Sequence, residues 1–447
     1  MIRAVAVVAL GALVACCAAA PSAPSGGTSS VHAVRSSVTS GIASVAASAA
    51  AAATWCGSAS QTDRVPNGVA GNPVHWIYLI PSDGSDSLGA VASTMQSDAE
   101  QIDAWWRGQD STRTPRNDVT AFSCGSQLDI STIRSTRTSA QLTPISSRFA
   151  GIADTLQAAG FTSSLTKYVV YYDGPVDDGN ICGQGGSIGS GFGVAVVYFR
   201  SCSGVSTALV AAHEFLHTIG AVPSAAPNDC PGENEGHTCD DQHDIMYPSA
   251  GGDPLSAKVL DPGRNDYYGH AGAWLDTQDS GWLVRLDSQT PLALTISGTG
   301  TVTADVPGLQ CSASCSTAWN AGQSLNLTAT PAAGMRLVRW SGACSGSAAC
   351  SVAVSPGAQV TALFAPATFR MTVSIGGKGT VRSSRAGISC RPRCSASFAS
   401  FTPVKLTAKP ATGWRFRTWS GGCRGARTTC TVPMSAATSA RATFVRR

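Results

Sequence analysis

The order of apolar and polar positions along the chain predicts a mixed α/β layer in its first half. Four segments are rich in β-branched and aromatic residues and predict strands at 75–80, 128–133, 167–172 and 193–199. Three segments carry apolar residues at helical spacing and predict helices at 88–106, 152–159 and 205–219. The resulting order, strand–helix–strand–helix–strand–strand–helix, predicts a sheet with a long helix beneath it.

A different pattern begins near Pro291, where Thr, Ser and Val alternate between glycine turns. Gly-Thr-Val at 300–302 recurs at 379–381, and Trp-Ser-Gly at 340–342 recurs at 419–421, both at an offset of 79 residues. Such a period predicts two tandem all-β modules, at 290–366 and 367–447. The Gly-Thr-Val, Trp-Ser-Gly and cysteine pattern resembles divergent internalin-type B repeats, which are attached to bacterial surface and secreted proteins.

The first residues have the features of an export signal. A basic residue precedes an apolar stretch at 4–14, and small residues follow, so we interpret residues 1–20 as a signal peptide. The residues up to Cys16 resemble the bacterial lipoprotein cleavage box, which would make Cys16 a lipidated first residue. Residues 21–53 are rich in Ala and Ser without a periodic apolar face, and we expect a flexible linker there.

The chain has 16 cysteines, which indicate an oxidising compartment if they pair. Their spacing favours local disulfides. We expect the pairs Cys56–Cys124, Cys182–Cys202, Cys230–Cys239, Cys311–Cys315, Cys344–Cys350, Cys390–Cys394 and Cys423–Cys430. No later apolar run reaches the ~18–20 residues of a membrane span, so we expect no transmembrane helix. The chain is therefore expected to be secreted or cell-surface associated, with a lipid anchor at Cys16 as one route.

The net charge of +4 conceals an uneven distribution. Residues 366–447 hold 15 Lys and Arg and no acidic residue, whereas residues 1–365 carry a net charge of −11. Such a basic module can bind an anionic cell-envelope polymer, and the alternative is a solvated module whose charge only aids solubility. With 13% charged and 7% aromatic residues, we expect no nucleic-acid partner, and we expect a monomer.

His213, Glu214 and His217 form a His-Glu-x-x-His motif inside the predicted helix at 205–219. Positions i and i+4 lie on one helix face, so both imidazoles can bind one cation and Glu214 can act on a water molecule beside it. The chain has seven histidines and four glutamates, so a chance match is expected only about 0.001 times. Two structural helix histidines are the alternative interpretation.

The motif extends to Gly220 and resembles the HExxHxxG helix of metzincin zinc metalloproteases. That family places a third ligand three residues further on, where this chain has Pro223. A later residue must therefore supply the ligand. The segment 244–247, Asp-Ile-Met-Tyr, resembles the family's methionine turn, which would put Met246 beneath the metal.

For the third ligand we expect His237, because imidazole suits zinc and because the expected disulfide at Cys239 would fix the local backbone. The alternatives are His243, Asp240, Asp241 and Asp244. Several aspartates in and after this segment can also supply oxygen ligands to Ca²⁺: Asp240, Asp241, Asp244, Asp261 and Asp266. A solvated acidic loop is the alternative to a calcium site.

The resemblance covers about residues 70–285 and implies an α+β metzincin-like zinc domain at 54–289, with a mixed twisted sheet and two long helices. It implies Zn²⁺ as the cofactor and an exported endopeptidase acting on protein or peptide substrates. Glu214 would transfer the proton, and Tyr247 would donate to the oxyanion, with Tyr267 and Tyr268 as alternatives. Because Pro223 occupies a ligand position, a catalytically degenerate domain in a cell-surface binding or adhesion protein is the alternative function.

Overall fold

The computed structural model describes residues 31–35, 54–64, 70–188 and 192–447. The predicted signal peptide, residues 1–20 with Cys16, lies outside these residues. Most of the predicted linker at 21–53 lies outside them as well. Its residues 31–35 are described and lie against the sheet of the first unit, which their composition did not predict.

The first unit is α+β, as predicted. Its helices are α1 (Leu88–Gln109), α2 (Ser139–Leu142), α3 (Ile145–Ala158) and α4 (Thr207–Thr218). Its strands are β1 (Val31–His32), β2 (Val74–Ile80), β3 (Arg113–Pro115), β4 (Val119–Phe122), β5 (Gly125–Leu128), β6 (Ile130–Arg134), β7 (Lys167–Tyr172), β8 (Gly183–Ile188), β9 (Phe192–Val197) and β10 (Leu283–Arg285). The seven predicted elements are all present, although α3 begins seven residues before the predicted 152.

The central sheet has the order β1–β8–β9–β7–β2–β6. Strands β9, β7, β2 and β6 run parallel, whereas β8 is antiparallel to β9 and β1 is antiparallel to β8. The parallel strands are buried on both faces because helices cover both. Alternate residues of β2 and β7 pack with α1 and α4 on one face and with α3 on the other.

Two all-β modules follow, as predicted. The first consists of β11 (Gln289–Ser297), β12 (Gly300–Ala304), β13 (Gln310–Cys311), β14 (Cys315–Asn320), β15 (Ser324–Pro331), β16 (Met335–Gly342), β17 (Cys350–Ala353) and β18 (Gln359–Pro366). The second consists of β19 (Thr368–Gly376), β20 (Gly379–Ser383), β21 (Ser389–Cys390), β22 (Ser395–Ala399), β23 (Pro403–Pro410), β24 (Trp414–Gly421), β25 (Thr429–Pro433) and β26 (Thr438–Arg446). Each module packs two four-stranded sheets around one core, and the strand order is the same in both.

All seven expected disulfides are present, three in the α+β unit and two in each module. Those in the modules close loops of only four to seven residues. Small β-modules gain stability from such links because their cores are limited. Among the helices of the described residues, none is long and apolar enough to cross a membrane.

Candidate metal centre

Helix α4 carries the His-Glu-x-x-His motif and is held rigidly in the fold. Its first turn is capped by Ser206, whose Oγ accepts from the Leu209 N–H at 3.3 Å. The helix ends where Gly220 adopts φ +89°, a left-handed conformation that glycine takes without strain. His213, Glu214 and His217 are all buried. The side chains of the motif therefore lie inside the molecule rather than in solvent.

The close packing of α4 on β8 depends on two glycines. A Cβ atom at Gly185 would lie 2.5 Å from the backbone oxygen of Glu214, and one at Gly183 would lie 2.6 Å from the Glu214 Oε1. Side chains at these two positions would push the helix away from the strand. The strand sequence Gly-Gln-Gly-Gly thus fixes the position of Glu214, a signal that the sequence analysis did not use.

Three imidazoles meet beside this helix. The ligand atoms of His213, His217 and His237 all lie within 4.8 Å of one another, and the three residues are buried. The Nε2 atoms of His213 and His217 are 3.1 Å apart. Of the five residues considered as a third ligand, His237 is the one that joins this cluster within the described part of the chain.

The loop that carries His237 is fixed by a disulfide and by backbone hydrogen bonds. Cys230 and Cys239 are bonded on either side of it, and the Cys230 N–H donates to the His237 oxygen at 2.7 Å. The His237 Nδ1 lies 3.1 Å from the backbone oxygen of Asn234, to which it donates. This bond assigns the proton to Nδ1 and leaves the Nε2 lone pair facing the cluster.

The turn around Met246 is hydrogen-bonded both to His213 on helix α4 and to Thr238, the residue after His237. The His213 Nδ1 donates to the backbone oxygen of Ile245 at 2.5 Å, and the Thr238 N–H donates to the Met246 oxygen at 3.1 Å. Met246 is fully buried in the core below. The segment predicted as a methionine turn therefore orients His213 through a carbonyl group that the sequence analysis did not consider.

Burial keeps all three imidazoles neutral near pH 7. It lowers the pKa of His213 and of His217 well below the ordinary value, and the nearby His237 lowers both further. Burial also lowers the pKa of His237, to about 4. A neutral imidazole offers the lone pair that a divalent cation requires.

The chemistry of this donor set fits zinc. Within the described residues, the buried Nε2 of His237 has no hydrogen-bond partner, which is costly unless a cation or water satisfies it. Three neutral imidazoles, two of them oriented by backbone carbonyls, are a donor set that zinc favours in sites with one open position.

Glu214 lies in the same buried environment but does not belong to the cluster of nitrogen atoms. Burial raises the pKa of its carboxyl group well above the ordinary value. Its Oε1 accepts from the Val34 N–H at 3.2 Å, whereas its Oε2 has no hydrogen-bond partner among the described residues. The Glu214 carboxyl group therefore has one oxygen engaged by the chain and one available.

The remaining candidate ligands lie elsewhere or are already engaged. His243 is exposed and its Nδ1 lies 2.9 Å from the Asp241 Oδ1, while Asp240 is exposed. The buried Asp244 accepts from the Tyr267 hydroxyl at 2.6 Å and from the Met246 N–H at 2.8 Å. These contacts leave His237 as the ligand that the fold favours.

Four of the five aspartates considered for calcium accept hydrogen bonds from the chain itself: Asp241, Asp244, Asp261 and Asp266. The Asp261 Oδ2 accepts the N–H groups of Asp266, Tyr267 and Tyr268, at 2.8 to 3.1 Å. Asp266 accepts from both nitrogens of Asn228. A calcium ion would have to share these oxygens with donors already in place, and this site stays a prediction.

The candidate oxyanion donors differ in availability. The Tyr267 hydroxyl donates to Asp244, and the Tyr268 hydroxyl donates to Asp110 at 2.9 Å. Both tyrosines are buried and committed to these bonds. Tyr247 is half-buried in the turn after Met246, so it is the tyrosine that can still reorient.

One histidine near the cluster was missed by the sequence analysis. The His32 ring stacks on the His217 ring, with centroids 4.6 Å apart and planes 20° from parallel. It belongs to the segment 31–35, whose short and mixed sequence carried no structural signal. Nothing in the pattern around His32 indicates this contact, because it joins residues far apart in the chain.

A search of curated proteins finds no match to this chain. Among solved structures, the Bacillus anthracis TIE protein is 7% identical, with a TM-score of 0.22, over 35% of this chain and 33% of that chain. Catalytically inactive OgpA from Akkermansia muciniphila, solved in complex with an O-glycopeptide (glycodrosocin) substrate, is 8% identical with a TM-score of 0.25. That match covers 86% of this chain and 98% of that chain. The chain spans about a third of the length of the TIE protein.

The two C-terminal modules match a known family. Residues 291–368 and residues 370–447 each match the family model of the divergent InlB B-repeat domain. The match covers the two modules that the 79-residue period predicted, with similar boundaries. Residues 291–368 and residues 370–447 of this chain are therefore each similar to the divergent InlB B-repeat domain.

Proposed function

We propose that this chain is an exported zinc-dependent endopeptidase whose α+β unit is of the metzincin type and whose B-repeats attach it to a surface. The observation that carries the proposal is the buried cluster of His213, His217 and His237 beside the carboxyl group of Glu214. The disulfides and the InlB-type repeats fit an extracellular or cell-surface protein.

The cluster supports zinc as the cofactor through its three neutral imidazoles. When bound there, zinc would lower the pKa of a water molecule and polarise the carbonyl group of a peptide bond. The Nδ1 hydrogen bonds of His213 and His237 would hold both rings in the required orientation.

Glu214 would move the proton. Its Oε2 is the oxygen without a partner among the described residues, so it can accept a proton from water and return it to the leaving amine nitrogen. Tyr247 is the candidate donor to the oxyanion because its two alternatives already bind aspartates.

The test begins with the purified full-length chain. We expect one zinc ion per chain by elemental analysis and cleavage of casein or of a peptide library. The Glu214→Gln variant should keep its zinc and lose at least ~100-fold in kcat/KM, since general acid–base catalysis contributes about that much or more. Cleavage that survives Glu214→Gln would exclude this mechanism.

A matched pair of histidine variants tests the third ligand. We expect His237→Ala to lose stoichiometric zinc, whereas His243→Ala keeps both zinc and activity because its side chain is 58% exposed. Zinc loss in His243→Ala alone would contradict the ligand assignment. A fully zinc-loaded wild-type chain that cleaves no substrate would favour the alternative function, a degenerate domain in a surface-binding protein.

The second repeat supplies the observation for surface attachment. All 15 of its basic residues are exposed, and residues 366–447 contain no acidic residue. Arg370, Arg415 and Arg441 lie on the strands of one sheet, β19, β24 and β26. Such a surface attracts polyanions through long-range electrostatics, so we propose an anionic cell-envelope polymer as its partner.

Salt dependence tests this attachment. The full chain should bind anionic cell-envelope preparations less well at 0.5 M salt than at 0.05 M, since salt screens exposed charges. Replacing Arg370, Arg415 and Arg441 with serine should weaken binding at low salt. The control is Arg336→Ser, at the position of the first repeat equivalent to Arg415. Equal binding of the wild type, the triple serine variant and Arg336→Ser would exclude the second repeat as the attachment surface.

A further inference from the structure

The segment 31–35 occupies the edge of the sheet beside the histidine cluster. Val31 and His32 pair antiparallel with Gly186 and Gly185 of β8. An exposed sheet edge is a common place for an extended peptide to bind, because the unpaired backbone groups of the edge strand accept a further strand. Here that place is filled by the chain itself.

At Arg35 the segment is also paired on its other side. The Arg35 N–H donates to the Pro248 oxygen at 3.1 Å, and the Ala250 N–H donates to the Arg35 oxygen at 2.8 Å. On the side of β8, the Cys182 N–H donates to the Val34 oxygen at 3.0 Å. Residues 31–35 therefore run along the backbone of residues 182–186, and at Arg35 they also contact the backbone of residues 248–250. We refer to the space between these two backbone stretches as the channel.

Within this channel the segment engages the groups to which the chemistry is assigned. The Val34 N–H donates to the Glu214 Oε1 at 3.2 Å, and the His32 ring covers the His217 ring. The Val34 side chain is only 1% exposed, whereas that of Val31 is 41% exposed. The channel thus holds an extended peptide in one register, with an aliphatic side chain buried next to the Glu214 contact.

The loop that presents His237 leaves room for the His32 ring. Gly236 has φ +87°, and a Cβ atom there would lie 2.3 Å from the His32 ring. Any other residue at position 236 would therefore displace that ring or strain the backbone. The loop that presents His237 and the segment 31–35 fit each other closely, as expected of two surfaces that bind.

We propose that residues 31–35 are an intramolecular inhibitory segment that occupies the peptide-binding channel, and that it must leave before a substrate can enter. This inference rests on the proposed peptidase function. A tethered segment competes at an effective concentration of about millimolar, so it can suppress cleavage of substrates present at micromolar concentration. The same geometry assigns the substrate class: an extended peptide that pairs with β8 and buries an aliphatic residue at the Val34 position.

The experiment uses the full-length chain with Val34→Asp and the matched control Val31→Asp. A carboxylate at the buried position 34 opposes docking, whereas one at the exposed position 31 does not. We expect kcat/KM for a peptide library to rise about tenfold or more in Val34→Asp and to stay unchanged in Val31→Asp. Arg35→Glu is a second, exposed variant that places like charge near Asp178, and it should raise kcat/KM by up to about fivefold.

A binding measurement separates this inference from the proposed function. A fluorescein-labelled Val-His-Ala-Val-Arg peptide should bind Val34→Asp at least ~10-fold more tightly than it binds wild type, measured by fluorescence anisotropy. If this difference appears and no chain cleaves any substrate, the channel assignment stands and the peptidase proposal fails. If the chains cleave substrates, and Val34→Asp and Arg35→Glu match wild type in both measurements, the inhibitory segment is excluded and the peptidase proposal stands.

Discussion

Replacing Gly185 with alanine should displace Glu214 from its position beside β8. The substitution changes none of the proposed metal ligands. The added Cβ atom would lie 2.5 Å from the Glu214 backbone oxygen and 2.8 Å from its Oε2. Ordinary contacts of this kind begin at about 3.4 Å, so helix α4 or strand β8 must move by roughly 0.9 Å. The motif helix cannot absorb that movement alone, because it is packed against the sheet.

The magnitude follows from the size of this shift. Inserting a methyl group into a close-packed interior costs about 1–3 kcal/mol. For a unit of this size that cost lowers Tm by roughly 2–4 °C per kcal/mol. A shift of roughly 1 Å in a catalytic group can lower the rate about 100-fold. We therefore expect a Tm lower by about 5 °C and a loss of about 10- to 100-fold in kcat/KM.

The assay compares Gly185→Ala with Gly179→Ala in calorimetry and in peptide hydrolysis. A Cβ atom at Gly179 meets nothing within 4 Å, so this control reports the loss of a glycine alone. Gly185→Ala should still bind zinc, because the hydrogen bond of His213 to Ile245 and the disulfide that fixes the His237 loop are kept. Equal Tm and equal kcat/KM in the two variants would refute the reasoning that β8 positions Glu214.

Three further predictions concern pH, metal and the disulfide beside His237. Burial raises the pKa of Asp98 to about 6, from 3.8, so its protonated form contributes about 3 kcal/mol of stability that is present below pH 4 and lost as the pH rises through 6. Asp98→Asn should remove this pH dependence of the free energy of unfolding, measured by denaturant titration. Identical pH profiles of the wild type and the variant would contradict the prediction. Removing zinc with EDTA should lower Tm in wild type, where zinc at 100 times Kd adds about 2.7 kcal/mol, and leave Tm unchanged in His237→Ala. Replacing Cys230 and Cys239 with serine should cost about 2–3 kcal/mol in unfolding and weaken zinc binding in a chelator competition. Replacing the short disulfides of the first repeat should leave zinc binding unchanged.

The parts of the fold that could be predicted are those fixed by local rules. Strand β7 was predicted to its exact ends because five consecutive aromatic and β-branched residues, 168–172, fit a strand buried on both faces. The disulfides were predictable because most of them close short loops. The hairpin β4–β5 and the pairing of β3 with β10 were not predicted. Their strands are only three or four residues long and carry no clear alternation.

The residues of the candidate site also differ in whether the sequence alone could predict their positions. His213 and His217 could be placed together from the sequence, because helical spacing puts residues four apart on one face. His237 could be chosen from ligand chemistry and its nearby cysteine, but its position beside α4 depends on tertiary packing. The roles of Ile245 and Val34 were beyond reach, because each acts through a backbone group that its side chain does not reveal.

The strand pairing within each repeat determines the distance between the points where the chain enters and leaves that repeat. In each repeat the first and last strands are neighbours and run parallel, β11 with β18 and β19 with β26. Parallel neighbours make the chain enter a repeat at one end and leave it at the other. By the observed register, entry and exit are separated by eleven residues of strand, or roughly 35 Å at ~3.3 Å per residue. A single residue, Ala367, links the two repeats, so each acts as a spacer of fixed length, and the number of repeats determines reach.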